Sequence, residues 1–539
     1  ILSGLVGSEM CIRDRINIKR SIEREYRYPP QETKIRFKNR PNIATDSNFV
    51  SVEVTNIDRK NRKISIKIGL KNSGFLGEKL NLYPASPVST KIMAEAIRDV
   101  ISDQCGTKSL SAIDAFLGRK PPKIKGRETG PILSGGNLIE EVIDAIRNLD
   151  ASVLPIQGPP GTGKTYVASK AIAALVRENC RIAVSSNSHS AIRNVLTAVS
   201  EKLKNDGGLS VDIVHKSKDE GSDEEDYTGQ EITIVTSNDD PLLNTAPVVG
   251  GTVWLFSRSE FSKTFDFLFV DEAGQVSLAN LVSMARCARN IVLIGDPRQL
   301  PQVIQAAHPG SVGLSSLEYL LGDNSTVPKD KGVFLEETRR MHPDLCHFIS
   351  KQVYEGRLKS HPNTLAQSIL APPWPSSGAY FVPVEHEGNN QISTEEIDAI
   401  KCCIADLLSG SWTDDTGKTR ALSQKDVIVV APYNAQTIAL QDSLPQGIRV
   451  GTVDKFQGQE APVCLISMTA SSAEESTRGM EFLLSLNRLN VAISRAKALS
   501  LVFGSPKLRT IKCETIEQMR LANTLCALDI YIPSNSDPK

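Results

Sequence analysis

Apolar and polar positions change their rhythm twice along this chain. Residues 48–83 alternate with the two-residue period of strands, as in "FVSVEVTNIDRKNRKISIKIGL", where "DRKNRK" supplies a polar hairpin tip. A small β-rich module is expected there. A helical period follows in "STKIMAEAIRDVISDQ", then a polar linker, "GRKPPKIKGRETG". From about residue 130, short and nearly continuous apolar runs alternate with amphipathic helical stretches: "VLPIQ", "RIAVSS", "PVVGGTVW", "FDFLFVDEA" and "NIVLIGD". Runs of this kind suit parallel strands covered on both faces. A second series begins near residue 333, with "GVFLEE", "AYFVPV", "DVIVVAPY", "IRVGTV", "PVCLISM" and "LSLVFG". The pattern predicts an α/β protein with a β-rich module and helical linker over 16–129, one parallel-sheet domain over 130–330 and a second over 331–539.

At 539 residues, 40% of them apolar, the chain can bury several cores. No uninterrupted apolar stretch approaches 18 residues, so no transmembrane helix is expected. Ten cysteines lack CxxC spacing and seven histidines form no ligand pattern, which points to reduced thiols in a cytoplasmic protein rather than a metal cluster or disulfide framework. The net charge is zero but unevenly spread. Residues 16–127 hold 23 Lys and Arg against 11 Asp and Glu, net +12, and the chain from 128 onward holds 37 against 49, net −12. Two readings of the basic region stand side by side, a polyanion contact and a solvated basic face. The acidic run "DEGSDEED" at 219–226 reads as a solvated insertion within about 205–230. Residues 1–15, "ILSGLVGSEMCIRDR", resemble a translated sequencing-adapter string, so they are expected to be non-native and the natural chain longer.

Candidate chemistry centres on "GPPGTGKT", residues 158–165, between an apolar strand and a helix. Gly158, Gly161 and Gly163 let the backbone approach phosphate, Pro159, Pro160 and Thr162 complete the loop, and the following helix offers free N–H groups. Lys164 would reach the β- and γ-phosphates and the Thr165 hydroxyl would ligate Mg²⁺. Downstream, "FDFLFVDEAGQ" delivers two carboxylates at a strand's carboxyl end, where open α/β sheets place their sites. Asp271 would hold Mg²⁺ and Glu272 would deprotonate the attacking water, which makes the reaction hydrolysis. Phosphoryl transfer also needs positive charge on the transition state. Two late arginines offer it, Arg340 in "EETRRMHP" and Arg495 in "NVAISRAK", and they meet the phosphates only if the second domain closes on the first.

The ordered series "GPPGTGKT", "DEAGQ", "GDPRQLPQV", "TRRMHP", "GTVDKFQGQE" and "LNVAISRAK", over roughly residues 130–510, resembles the motifs of superfamily 1 helicases. The likeness is to the branch that includes the nonsense-mediated-decay RNA helicase and the Okazaki-fragment nuclease-helicase. The tail "EQMRLANTLCAL" further looks like prokaryotic proteins in which such a helicase follows a RecB-like nuclease domain. The resemblance implies two tandem RecA-like P-loop domains preceded by a small β-barrel-like module. It implies ATP and Mg²⁺ as cofactors, single-stranded or partly duplex nucleic acid as partner with DNA favoured over RNA, and travel 5′→3′. Residue by residue, it implies γ-phosphate sensing by Gln299, paired arginine fingers at Arg340 and Arg495, and a ribose contact at Glu460. Arg339 stands where relatives often carry an aromatic residue that stacks on the base; a guanidinium can stack there instead. No upstream glutamine motif precedes residue 158, so the base preference is open.

The same resemblance implies nucleic-acid contacts at Ser186, Asn187, Gly251, Thr252, Pro432, Tyr433, Thr452 and Asp454. Each of these taken singly reads equally as a cap or turn residue. The leading expectation is an ATP-driven motor on single strands. A nucleotide-switched clamp that hydrolyses without unwinding is the alternative, and a metabolite kinase is a distant third.

Overall fold

The computed structural model describes residues 12–18, 20–29, 35, 40–44, 49–58, 61–83, 89–106, 111–206, 208–217, 231–302, 304 and 308–533. The chain divides into two compact units, 1–90 and 91–539. The acidic run at 219–226 lies outside the described residues.

In the first unit, isoleucines 64, 66 and 68 alternate along strand Lys63–Gly69 and send one face inward. That strand pairs antiparallel between Ser21–Arg27 and Glu53–Asp58, and Ile12–Ile18 closes the far side of the sheet. A smaller sheet orders Phe49–Ser51, Asn42–Ala44 and Leu82–Tyr83. Tyr26, Val54 and Ile66 of the first sheet share one core with Ile43 and Leu82 of the second. Residues 12–15, read as non-native in the sequence, form part of a paired strand, Ile12 and Arg15 falling in register with Tyr26 and Arg24.

Helix Lys91–Gly106 was expected to go with the β module, but its apolar stripe packs elsewhere. Met93 and Val100 share a core with Leu281 of helix Leu278–Met284, inside the second unit. The eight-stranded sheet of that unit runs, in spatial order, Ile232–Val235, Ile213–Lys216, Val248–Gly250, Ile182–Ser185, Phe265–Val270, Ala288–Gly295, Val153–Gln157, Val333–Phe334. All its pairs are parallel, and helices cover both faces, which is why its central strands are apolar almost throughout. Two expectations need correcting. Val333–Phe334 does not open the second domain but completes the first sheet, Val333 opposite Ile156 and Phe334 opposite Gln157. In "PVVGGTVW" only Val248–Gly250 is strand, since the chain turns at Thr252 into helix Val253–Phe256.

A second, six-stranded parallel sheet comes after it, ordered Arg449–Gly451, Val427–Val430, Ala461–Ser467, Ala496–Gly504, Gly378–Pro383, Asp529–Ile530. Between the sheets lies a shared apolar core. Leu300, Val327 and Phe334 from the first half pack with Met341, Leu345, Ile349, Ile466 and Val491 from the second. The two halves therefore meet through buried apolar surface as well as through polar side chains. Among the described residues no helix is long and apolar enough to cross a membrane, and every described cysteine thiol is free.

Candidate functional site

The phosphate loop begins where strand Val153–Gln157 ends, and Gly158 N–H donates to the Gly295 carbonyl of the neighbouring strand's end at 2.9 Å. Gly161 and Gly163 adopt φ of +77° and +79°, the left-handed region that favours glycine. At Gly161 the need is doubled. A Cβ there would stand 2.5 Å from the Thr338 hydroxyl and 2.4 Å from the Arg340 Cβ. The "TRR" segment lies directly on the loop: Thr338 Oγ1 donates to the Pro160 carbonyl at 2.9 Å and Arg339 N–H to the Gly161 carbonyl at 2.9 Å. Lys164, first residue of helix Lys164–Arg177, donates through Nζ to the Gly158 carbonyl at 2.7 Å.

Asp271 follows strand Phe265–Val270 and is buried. Burial and the adjacent Glu272 charge push its carboxyl up to about 7, against the pull of Lys164. Thr165 and Asp271 supply a hydroxyl and a carboxylate, the hard oxygen donors Mg²⁺ takes alongside phosphate oxygens and water. Among the described residues no group of three or more His, Cys, Asp or Glu forms a metal cage. Glu272 holds φ of +52°, costly for a side chain with a Cβ, and accepts from the Gln457 amide of the second half at 3.3 Å.

Both late arginines sit at this seam. Arg340 Nε pairs with Glu460 Oε2 at 2.6 Å, and Nη1 donates to the Ser494 carbonyl at 3.1 Å. Glu460 also holds Lys497 at 2.9 Å; although burial works the other way, Arg340 and Lys497 keep its carboxyl below the usual range. The residue expected at the ribose is therefore engaged with two cations. Arg495 is only 2% exposed and donates to the Val491, Phe456 and Gln459 carbonyls. Burial, then Arg340, lowers its pKa to about 9, while Cys464, Glu272 and Glu460 act to raise it. Arg495 is thus a structural anchor as well as a candidate finger, a role the motif alone did not disclose. Gln299 is buried, its amide bonded to Asp296 Oδ2 at 3.0 Å. Arg339 is exposed, 3.7 Å from Glu337.

Next to the "TRR" segment, a cavity of about 420 Å³ is lined by Leu133, Leu138, Phe334, Glu336, Glu337 and Arg357. A larger one, about 550 Å³, touches Ala151, Phe265 and Ala288, where strands begin, and so opens at the opposite edge of the sheet from the phosphate loop.

The residues expected on the nucleic-acid track fall into two groups. Ser186, Asn187, Gly251 and Thr252 follow the carboxyl ends of strands Ile182–Ser185 and Val248–Gly250, on the same sheet edge as the phosphate loop. Ser186 is buried with its hydroxyl unbonded, the Asn187 amide donates to the Gln275 carbonyl, and Gly251 N–H donates to Val184. Thr252 caps helix Val253–Phe256 through its backbone. Pro432, Tyr433, Thr452 and Asp454 follow strands of the second sheet. Tyr433 is no free stacking platform: it is 6% exposed, bonded to Ser476 Oγ at 2.8 Å and packed on Phe482. The Thr452 carbonyl accepts from Lys455, and Asp454 pairs with Arg488 at 3.3 Å. Four seam residues went unassigned in the sequence. Asp296, Gln457 and Asn490 lie inside quoted motifs, while Tyr354 lies in no motif at all.

Fold and site define a class, an α/β protein with two tandem parallel-sheet domains and a phosphate loop at the seam between them. Two family models, each described as an AAA domain, match residues 140–312 and 314–507. Over 444 residues the chain is 27% identical to the DNA replication ATP-dependent helicase/nuclease DNA2 of Gallus gallus, covering 79% of this chain and 41% of that protein. It is 27% identical over 432 residues to the protein of the same description from Schizosaccharomyces pombe, covering 73% of this chain and 29% of that protein. The chain spans well under half the length of these relatives. A crystal structure of Arterivirus nonstructural protein 10 (helicase) aligns over 93% of this chain and 78% of that one, at 14% identity and a TM-score of 0.39.

Proposed function

We propose that this chain is an ATP-driven motor that moves on single-stranded nucleic acid, 5′→3′, and separates duplexes. One observation carries the reading: Arg340 and Glu272, from different halves of the chain, converge on one seam with the phosphate loop. Lys164 binds the phosphates, Glu272 takes a proton from the attacking water, and the two arginines neutralise charge as the γ-phosphoryl group leaves. Thr165 and Asp271 would hold Mg²⁺, which when bound would supply positive charge to the phosphates. Gln299 reads the γ-phosphate, Glu460 and Arg339 face ribose and base, and the Leu133–Phe334 cavity receives the base.

DNA is the favoured track, since the relatives' names specify DNA replication. Ser186, Asn187, Gly251, Thr252, Pro432, Thr452 and Asp454 line it, and the hydroxyl and amide donors among them contact phosphates without base choice. A RecB-like nuclease domain ahead of this segment is proposed from the resemblance of the tail and from the helicase/nuclease name of the relatives. Free thiols support a cytoplasmic setting. A strand-displacement assay with ATP, Mg²⁺ and a tailed duplex tests the reading: opening of duplexes with a 5′ tail is expected. Strand-stimulated hydrolysis without displacement or translocation would favour a switched clamp.

A further inference from the structure

The loop after strand Ala288–Gly295 contacts three side chains of the second half to which no motif assigns a role: Tyr354, Asn490 and Asn487, the last donating to the Pro297 carbonyl at 3.3 Å. Asp296 is buried, and both its carboxylate oxygens are engaged. Oδ1 accepts the Arg298 N–H at 3.1 Å and the Gln157 amide at 3.4 Å. Oδ2 accepts the Gln299 amide at 3.0 Å and the Tyr354 hydroxyl at 2.6 Å. That hydroxyl accepts in turn from the Asn490 amide at 2.9 Å. The direction of the chain is set by chemistry. Asn490 Nδ2 also donates to the Arg298 carbonyl at 2.8 Å, and a carbonyl can only accept.

Tyr354 directly follows helix Pro343–Val353, and Asn490 lies on helix Leu486–Ile493, which leads into Arg495. Burial and the Asp296 charge hold the phenol well above its usual pKa, so it remains a donor. The Asn490 Oδ1 is buried with no hydrogen-bond partner, so this amide is committed through its nitrogen alone.

Resting on the motor reading, we infer that Asn490, Tyr354 and Asp296 form a positioning relay that ties the loop of the phosphate-sensing Gln299 to the helix leading to Arg495. Gln299 and Tyr354 share one carboxylate oxygen. When the Gln299 amide turns toward a γ-phosphate, that oxygen keeps Tyr354 as its donor from the second half. A buried charge losing one donor binds the remaining one more tightly, so the second-half helix follows the loop. Without the hydroxyl, Gln299 still responds, but the loop keeps only the Asn490 and Asn487 amides on its Arg298 and Pro297 carbonyls, so Arg495 is carried less fully with it. Tyr354 touches neither substrate nor metal and acts through its neighbours.

Tyr354→Phe keeps the ring and removes the hydroxyl. With saturating single-stranded DNA, kcat for ATP hydrolysis should fall about tenfold and KM for ATP change less than about twofold. Base pairs opened per ATP should fall as well, with the melting temperature lowered by only about a few degrees. Asn490→Ser, on the other side of the same hydroxyl, should give the same split, and the double variant should fall no further than Tyr354→Phe alone. Wild-type kcat and step yield in both variants, or additive losses in the double variant, would overturn the relay while leaving the motor intact. A wild-type chain that hydrolyses no ATP with strand present would overturn the motor reading and the relay together.

Discussion

The two parallel sheets of the second unit share an architecture but turn opposite edges to the seam. The first offers its carboxyl edge, where Gly158, Asp271 and Asp296 follow their strands. The second offers its amino edge, where Glu460 and Arg495 immediately precede strands Ala461–Ser467 and Ala496–Gly504. Their carboxyl edges differ as sharply. That of the first sheet is open and glycine-bearing, with backbone N–H groups available to phosphate. That of the second is filled, beyond strand Ala461–Ser467, by a buried polar network, while Pro432, Thr452 and Asp454 follow its neighbouring strands. Glu396 accepts from Thr469 N–H at 2.9 Å and from Ser467 Oγ at 2.5 Å, and lies 3.0 Å from His386 Nε2. One fold thus supports a binding edge or a packed edge, depending on the residues just beyond the strand ends. Chemistry must be argued from those residues rather than from the sheet.

The largest effect should come from Glu272→Gln on the binding edge. Hydrolysis should fall about a thousandfold with ATP still bound, since a positioned base typically contributes about 10² to 10⁴. Turnover near wild type in that variant would remove Glu272 as the base. Arg495→Ala should act twice, because three backbone carbonyls lose their donor along with the seam losing its charge. Hydrolysis should fall about a hundredfold and unfolding free energy by about 3 kcal/mol, read by denaturant titration. Loss of activity with full stability would make the residue a finger alone; loss of stability alone would make it an anchor alone.

On the packed edge, Glu396→Ala should cost about 2 to 3 kcal/mol of stability, as the Ser467, Thr469 and His386 donors lose their acceptor. KM for ATP should not move, and a large shift there would show that this edge also serves the nucleotide. The smallest effect is expected in the basic β module. Arg62 is exposed and Lys63 pairs with Glu25 at 2.8 Å, while Lys60 lies outside the described residues. Arg62→Ala with Lys63→Ala should weaken strand binding modestly and lower its salt slope by about 1. An unchanged slope would return the module to a solvated basic face.

Much of the first sheet was legible because a strand buried on both faces must be apolar, and "FDFLFV" or "NIVLIG" admits little else. The phosphate loop was legible because left-handed φ and close backbone approach demand glycine at fixed spacing. Partners were harder to read. The stripe on Lys91–Gly106 announces a buried face without naming helix Leu278–Met284 as its cover. Val333–Phe334 is too short a run to choose between two sheets of the same apolar character. Tyr354 looks like any core aromatic after an amphipathic helix, and only the folded chain brings its hydroxyl to a carboxylate 58 positions upstream. Tyr433 shows the reverse, a track residue by motif order whose ring is already covered by Phe482.

The most direct test of a shared seam is single-turnover ATP hydrolysis by Arg340→Ala with single-stranded DNA bound, measured beside ATP affinity. Arg340 is held at the phosphate loop by Glu460 and the Ser494 carbonyl, and its removal leaves Lys164 and Glu272 in place. The hydrolysis step should slow about a hundredfold or more with ATP affinity nearly kept. A wild-type rate would contradict the account, because the second half would then take no part in the chemistry of the first.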